Sequence, residues 1–113
     1  MSGISTHVLD LAKGKPAIGV PVSLEIEASG QWAKLSSQAT DSDGRCKKLL
    51  PDGADLKPGQ YRIQFDSAAY FQEGGIQTLY PIVSVTIEVT DAASHYHIPL
   101  LLTANGYSTY RGT

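Results

Sequence analysis

Three histidines, two arginines and a carboxyl end are the groups in this chain best suited to chemistry near neutral pH. His95 and His97 stand two apart in the run His95-Tyr96-His97-Ile98-Pro99, and His7 lies in Ser5-Thr6-His7-Val8-Leu9. Arg45 follows the tight-turn signal Asp41-Ser42-Asp43-Gly44, and Arg111 sits in the terminal tetrapeptide Tyr110-Arg111-Gly112-Thr113. Histidine changes charge close to neutrality and serves as general base or acid. The planar fork of arginine suits an anion or a developing oxyanion. Singly, each of these residues is more often inert: a solvated arginine after a turn, or a surface or satisfied core histidine. Together on one face they would make a site, because two histidines can divide the acid and base roles.

Other chemistries are weaker. Three histidines would suit a tetrahedral zinc ion, but no cysteine or carboxylate completes a ligand spacing, so neither a metal nor a cofactor is expected. Ser94 and Ser108 lie outside any Gly-x-Ser-x-Gly elbow, which discounts a covalent serine mechanism. Cys46 follows Arg45, which would lower a thiol pKa; it reads equally as a buried filler. As the only cysteine it excludes an intrachain disulfide. Tyr70, Phe71 and Tyr80 read as core or interface packing.

The elements that must position these groups are strands. Val20, Val22, Leu24, Ile26 and Ala28 alternate with polar residues, as do Tyr61, Ile63 and Phe65, and Val83, Val85, Ile87 and Val89. A period of two marks half-buried strands. Shorter strands are predicted at 5–9, 32–39, 95–103 and 107–111, with one short helix at 67–72. Seven or eight short strands broken by frequent Gly and Pro turns predict an all-β, two-sheet sandwich. At 113 residues the chain reads as one domain spanning 1–113. A formal charge of -2 gives no basic footprint for nucleic acid. No apolar run is long enough to span a membrane. The expected location is the cytoplasm, since neither a secretory signal nor a C-terminal peroxisomal address is visible.

Asn105-Gly106 predicts the last hairpin's loop, because Asn-Gly suits a turn with two positive φ angles. That register sets Ala104 opposite Tyr107, Leu102 opposite Thr109 and Pro99 opposite Gly112. By alternation His97, Pro99 and Leu101 then share a face with Ser108, Tyr110 and Gly112, while Leu100, Leu102 and Thr109 face the core. On the first strand Thr6, Val8 and Asp10 share one face, and Ser5, His7 and Leu9 the other.

Four segments carry a resemblance: Ser5-Thr6-His7-Val8-Leu9-Asp10, Asp43-Gly44-Arg45-Cys46, His95-Tyr96-His97-Ile98-Pro99-Leu100-Leu101-Leu102 and Gly106-Tyr107-Ser108-Thr109-Tyr110-Arg111-Gly112-Thr113. Over essentially its whole length the chain resembles the 5-hydroxyisourate hydrolases, the transthyretin-related proteins. The terminal tetrapeptide separates these hydrolases from hormone-carrying transthyretins. Where the family usually ends in serine this chain has Thr113, which keeps a hydroxyl and a carboxylate and adds a methyl. The resemblance implies an eight-stranded sandwich that assembles as a homotetramer, a dimer of dimers with the site in the cleft between dimers. It implies hydrolytic opening of 5-hydroxyisourate to 2-oxo-4-hydroxy-4-carboxy-5-ureidoimidazoline in urate breakdown, without cofactor. His7, Arg45 and His97 match the family's functional positions and are expected to be catalytic. Ser108, Tyr110, Arg111 and Thr113 are expected to contact substrate. The competing expectation is a transthyretin-type ligand carrier without catalysis.

Overall fold

Alternation builds two sheets that turn their apolar sides toward each other. The computed structural model describes residues 3–113. In chain order the elements are β1 (Gly3–Asp10), β2 (Lys15–Pro16), β3 (Pro21–Ala28), β4 (Gln31–Ala39), β5 (Arg45–Cys46), β6 (Gly59–Phe65), α1 (Ser67–Glu73), β7 (Val83–Val89), β8 (His95–Thr103) and β9 (Gly106–Thr109). One sheet runs β4-β3-β6-β7, all antiparallel. The other runs β2-β1-β8-β9, and β5 shares the outer edge of β1 with β2. The predicted sandwich and its single helix are therefore present. Two of the strands are only two residues long and carry no periodicity from which they could be read.

The core lies between the sheets. Val22, Leu24, Tyr61, Ile63 and Phe65 point inward from one side, and Ile4, Val8, Ile98, Leu100 and Leu102 from the other, all nearly inaccessible to water. Burying a side chain of this kind stabilises the fold by about 1.5–3 kcal/mol each. α1 ends one residue later than predicted; its cap is Asp66, whose carboxylate accepts from the Ala69 N–H at 3.0 Å. Cys46 is buried, and burial pushes its thiol up to about 11, which makes it the inert filler. Among the described residues no helix is long and apolar enough to cross a membrane.

Two features of the second sheet place the functional groups. β1 and β8 pair in parallel, with Gly3 opposite His95, Ser5 opposite His97 and His7 opposite Pro99. β8 and β9 pair with Thr103 opposite Gly106 and Leu100 opposite Thr109. The predicted hairpin register is thus displaced by two residues. The loop is Ala104-Asn105, and neither residue takes a positive φ; among the described non-glycine residues only Ser29 does. The two-residue turn of positive φ is instead Ser29-Gly30, at 55° and 79°, between β3 and β4. A displacement of two preserves the side-chain parity of the paired residues, because the pleat repeats every two residues. Leu100 and Leu102 are in the core as expected. Thr109 is exposed, and its hydroxyl donates to the Pro99 carbonyl at 2.7 Å.

Candidate active site

Residues facing outward from β1, β5 and β8 converge beneath the chain's last residues. His97 lies opposite Gly112 in an isolated antiparallel bridge, and the Gly112 N–H donates to the His97 carbonyl at 2.7 Å. This extends the β8–β9 register to the end of the chain and ties the terminus down. Gly112 is required sterically: a Cβ there would come within 2.6 Å of His97 Cδ2. The result is a cavity of about 620 Å³ lined by Ser5, Arg45, His95, His97, Arg111, Gly112 and Thr113.

Arg45 is delivered by local turn chemistry. The Asp41 carboxylate accepts from the backbone N–H groups of Asp43 (2.9 Å) and Arg45 (3.0 Å), and the Asp41 carbonyl accepts from Gly44 N–H. These bonds, the one from Arg45 foremost, hold the Asp41 carboxyl below its ordinary range. Gly44 sits at φ 76° with the Val8 carbonyl 2.6 Å from where a Cβ would be, so only glycine fits there. β5 then pairs Arg45 with His7. Among the described residues Arg45 makes no ion pair, which leaves its guanidinium available to a ligand.

His97 is half-buried. Its Nδ1 lies 2.8 Å from Ser5 Oγ, and the same oxygen lies 2.8 Å from His95 Nε2. Burial first, then electrostatic repulsion from Arg45, His7 and His95, hold its pKa below the usual histidine value. At neutral pH it is therefore an uncharged imidazole, the form a general base requires.

Not all of the expected site residues converge. His7 is on the expected face and near enough for its charge to bear on His97, but it is not among the residues lining the cavity. Thr113 lines it. Arg111 borders it, but its guanidinium turns to the opposite face, 4.2 Å over the Tyr96 ring and within 3.3 Å of the His95 carbonyl. It makes no salt bridge to Asp10 or Asp91. Tyr110 is exposed and borders a separate cavity of about 350 Å³ beside β7. Ser108 pairs with Leu101 and also lies outside the site cavity. Sequence reasoning missed Ser5 as a site residue. The available signal was its position two residues before His7, on the same face. Among the described residues no group of three or more His, Cys, Asp or Glu is arranged to hold a metal ion.

Comparison with known proteins gives a consistent result. Residues 4–112 match the model of the HIUase/Transthyretin family. A 5-hydroxyisourate hydrolase of Salmonella dublin is 44% identical over 97% of this chain and 80% of its own length. The solved 5-hydroxyisourate hydrolase of Klebsiella pneumoniae superposes with a TM-score of 0.87 at 33% identity, covering all of both chains. Transthyretin from Sparus aurata superposes with a TM-score of 0.91 at 25% identity, covering 99% of this chain and 97% of its own.

Proposed function

The chain belongs to the HIUase/Transthyretin family, and on that premise we propose that it is a hydrolase that opens 5-hydroxyisourate in urate degradation. The backbone does not discriminate between enzyme and carrier, because both kinds of structure superpose closely. The side chains do. The observation that carries the reading is a half-buried His97, its pKa held below the ordinary histidine value, at a cavity that also holds an unpaired Arg45 and Thr113. A carrier of hydrophobic ligands has no use for that set. The named hydrolases are also more similar in sequence.

The reaction consumes water at an acyl carbon of the six-membered ring and breaks its bond to the ring nitrogen. It yields 2-oxo-4-hydroxy-4-carboxy-5-ureidoimidazoline. One of His97 and His7 takes a proton from water as it adds to the carbonyl, and the other supplies one to the departing nitrogen. Arg45 binds the ring oxygens and stabilises the charge that develops on the carbonyl oxygen. Thr113 bounds the substrate on the terminal side. Arg111, stacked on Tyr96, fixes the terminal segment and so holds Gly112 against His97. No step calls on a cofactor.

In the proposed assembly the outward face of this sheet lines the cleft of a homotetramer, a dimer of dimers. The exposed Tyr110 and Ile18 would then meet a second subunit instead of water, and Tyr110 and Ser108 would reach substrate there. The test is turnover of 5-hydroxyisourate formed in place by a urate oxidase, followed by its ultraviolet decay against a spontaneous-opening control. Strong acceleration that survives a chelator supports the reading. A folded protein that leaves the spontaneous rate unchanged overturns it and favours the carrier.

A further inference from the structure

We propose that Ser5 and His95 form a proton relay that connects His97 to solvent. The proposal rests on the hydrolase reading, gives His97 the base role, and extends the site to two residues with no role in the mechanism above.

The geometry is a three-membered chain. The parallel register of β1 and β8 sets Ser5 beside His97 and Gly3 beside His95, so the Ser5 side chain reaches both imidazoles. Its Oγ is 2.8 Å from His97 Nδ1 and 2.8 Å from His95 Nε2. Ser5 is buried, at 7% exposure, whereas His95 is exposed. A hydroxyl carries one proton, so of these two bonds it donates one and accepts the other. This couples the tautomers of the two histidines. In one arrangement His97 Nδ1–H donates to Ser5, the Ser5 hydroxyl donates to His95 Nε2, and His97 Nε2 keeps a free lone pair. In the other, Ser5 donates to His97 Nδ1, His95 Nε2–H donates to Ser5, and His97 Nε2 carries the proton. These are the base and acid forms of His97. They interconvert by moving protons through Ser5.

The electrostatics give the chain a direction. His97 is faced by Ser5 and His7 from β1, Arg45 from β5, His95 from its own strand, and Arg111, Gly112 and Thr113 from the terminal segment. Burial, and after it the Arg45 guanidinium, disfavour a lasting imidazolium at His97, so a proton taken from water must move on. His95 lies at the exposed end. A Cβ at Gly3 would lie 3.2 Å from its Nδ1, so the missing side chain leaves room beside this nitrogen.

The step balances without a co-reactant. An O–H bond of water breaks as hydroxide adds to the carbonyl carbon, and the proton forms a bond to His97 Nε2. The Nδ1 proton of His97 passes to Ser5 Oγ, the Ser5 hydroxyl proton passes to His95 Nε2, and the Nδ1 proton of His95 leaves to solvent. Reversal of the same shifts, with the His97 Nε2 proton passing to His7 after His7 has protonated the departing nitrogen, restores the starting arrangement. Ser5 and His95 act through His97 and are positioning residues.

The test compares wild type, Ser5→Ala, His95→Gln, Ser5→Thr and the double variant Ser5→Ala/His95→Gln in the 5-hydroxyisourate assay, with thermal unfolding measured for each. Interrupting the relay should lower kcat roughly tenfold with KM unchanged, less than the loss of the base itself. The double variant should be no slower than the slower single variant, because both interrupt one path. Imidazole buffer added at constant pH should restore His95→Gln by accepting the proton from Ser5, and should leave wild type unchanged. Ser5→Thr, which keeps the hydroxyl, should be faster than Ser5→Ala. A His95→Gln enzyme with wild-type kcat, or one indifferent to added imidazole, overturns the relay while leaving the hydrolase reading intact. Wild type that does not accelerate ring opening overturns both. If Ser5→Ala fails to fold, His95→Gln decides alone, since His95 is at the surface.

Discussion

The outward faces of the two sheets carry similar residues and leave them in opposite states. On the β4-β3-β6-β7 sheet, Glu25 accepts from Arg62 Nε at 2.6 Å and from Gln64 Nε2 at 2.9 Å, Ser84 donates to Gln64 at 2.9 Å, and the Arg62 guanidinium lies 4.6 Å over Trp32. The Arg62 bond is the chief reason the Glu25 carboxyl stays below its ordinary range. The Glu25 and Arg62 charges there answer each other within the face. On the β2-β1-β8-β9 sheet, Arg45 and three histidines gather with no side-chain carboxylate among the residues lining the cavity. Ion pairs with access to water, as the partly exposed Glu25–Arg62 pair has, stabilise a fold little. The contrast therefore has less to do with stability than with what remains for a ligand: one face is satisfied, and the other keeps unspent donors and a neutral base.

Three substitutions would break the reserved face. His97→Ala should lower turnover about 100- to 10,000-fold, the usual cost of losing a general base, measured as kcat in the ultraviolet assay. Full activity in that variant would remove His97 from the chemistry. Arg45→Gln removes the cation proposed to stabilise the oxyanion and should cost about 100- to 1,000-fold in kcat. A rise confined to KM would instead make Arg45 a binding residue. Gly112→Ala removes no reacting group, yet its methyl would come within 2.6 Å of His97 Cδ2. Displacing the imidazole by about 1 Å should cost roughly 100-fold. Wild-type activity in Gly112→Ala would mean that the ring needs no support from the terminus.

How far the site could be read from the sequence depended on which contacts are local. The strands with a clear period of two were legible, and with them the faces: Thr6, Val8 and Asp10 are buried as alternation required. The hairpin register was misplaced because Asn105-Gly106 is a strong turn signal, but the tertiary pairing puts the loop one residue earlier on each side. The faces survived that error because of the two-residue pleat. β5 was not legible, since two residues show no period, and it is held by the Asp41 turn and the edge of β1. Ser5 was missed because a parallel pairing has no hairpin to announce it. The bond from Ser5 to His97 spans 92 positions. Arg111 was expected to contact substrate because of the resemblance; alternation places it opposite Tyr110, and the Tyr96 ring holds it there.

A pH profile sharpens the comparison with a smaller effect. Because His97 is held below the ordinary histidine value, kcat/KM should stay level through neutrality and fall on the acid side with a midpoint below about 6.5. Arg45→Gln should move that midpoint upward even as it slows the reaction, since one cation is gone. The sign for stability is the same as for activity. As pH drops below the ordinary histidine value the unfolded chain takes up this proton more readily than the folded one, so stability is lost over that window. A midpoint at or above the ordinary value would mean that His97 is better solvated, or paired with an anion such as the Thr113 carboxylate.

The smallest effect should come from the satisfied face. Glu25→Gln keeps the shape and one acceptor oxygen but leaves the Arg62 charge unanswered, as Arg45 is. Arg62 would still rest on Trp32, with access to water. The charge change is also far from the cavity. Packed sheets lie about 10 Å apart, and at physiological salt a charge is largely screened beyond about 8 Å. Glu25→Gln should therefore lower the melting temperature only slightly and leave kcat, KM and the acid midpoint at wild-type values. A loss of turnover comparable to that of Gly112→Ala would show that the two faces are coupled through the core. The unpaired arginine of the site would then be one part of a charge balance that spans the whole sandwich.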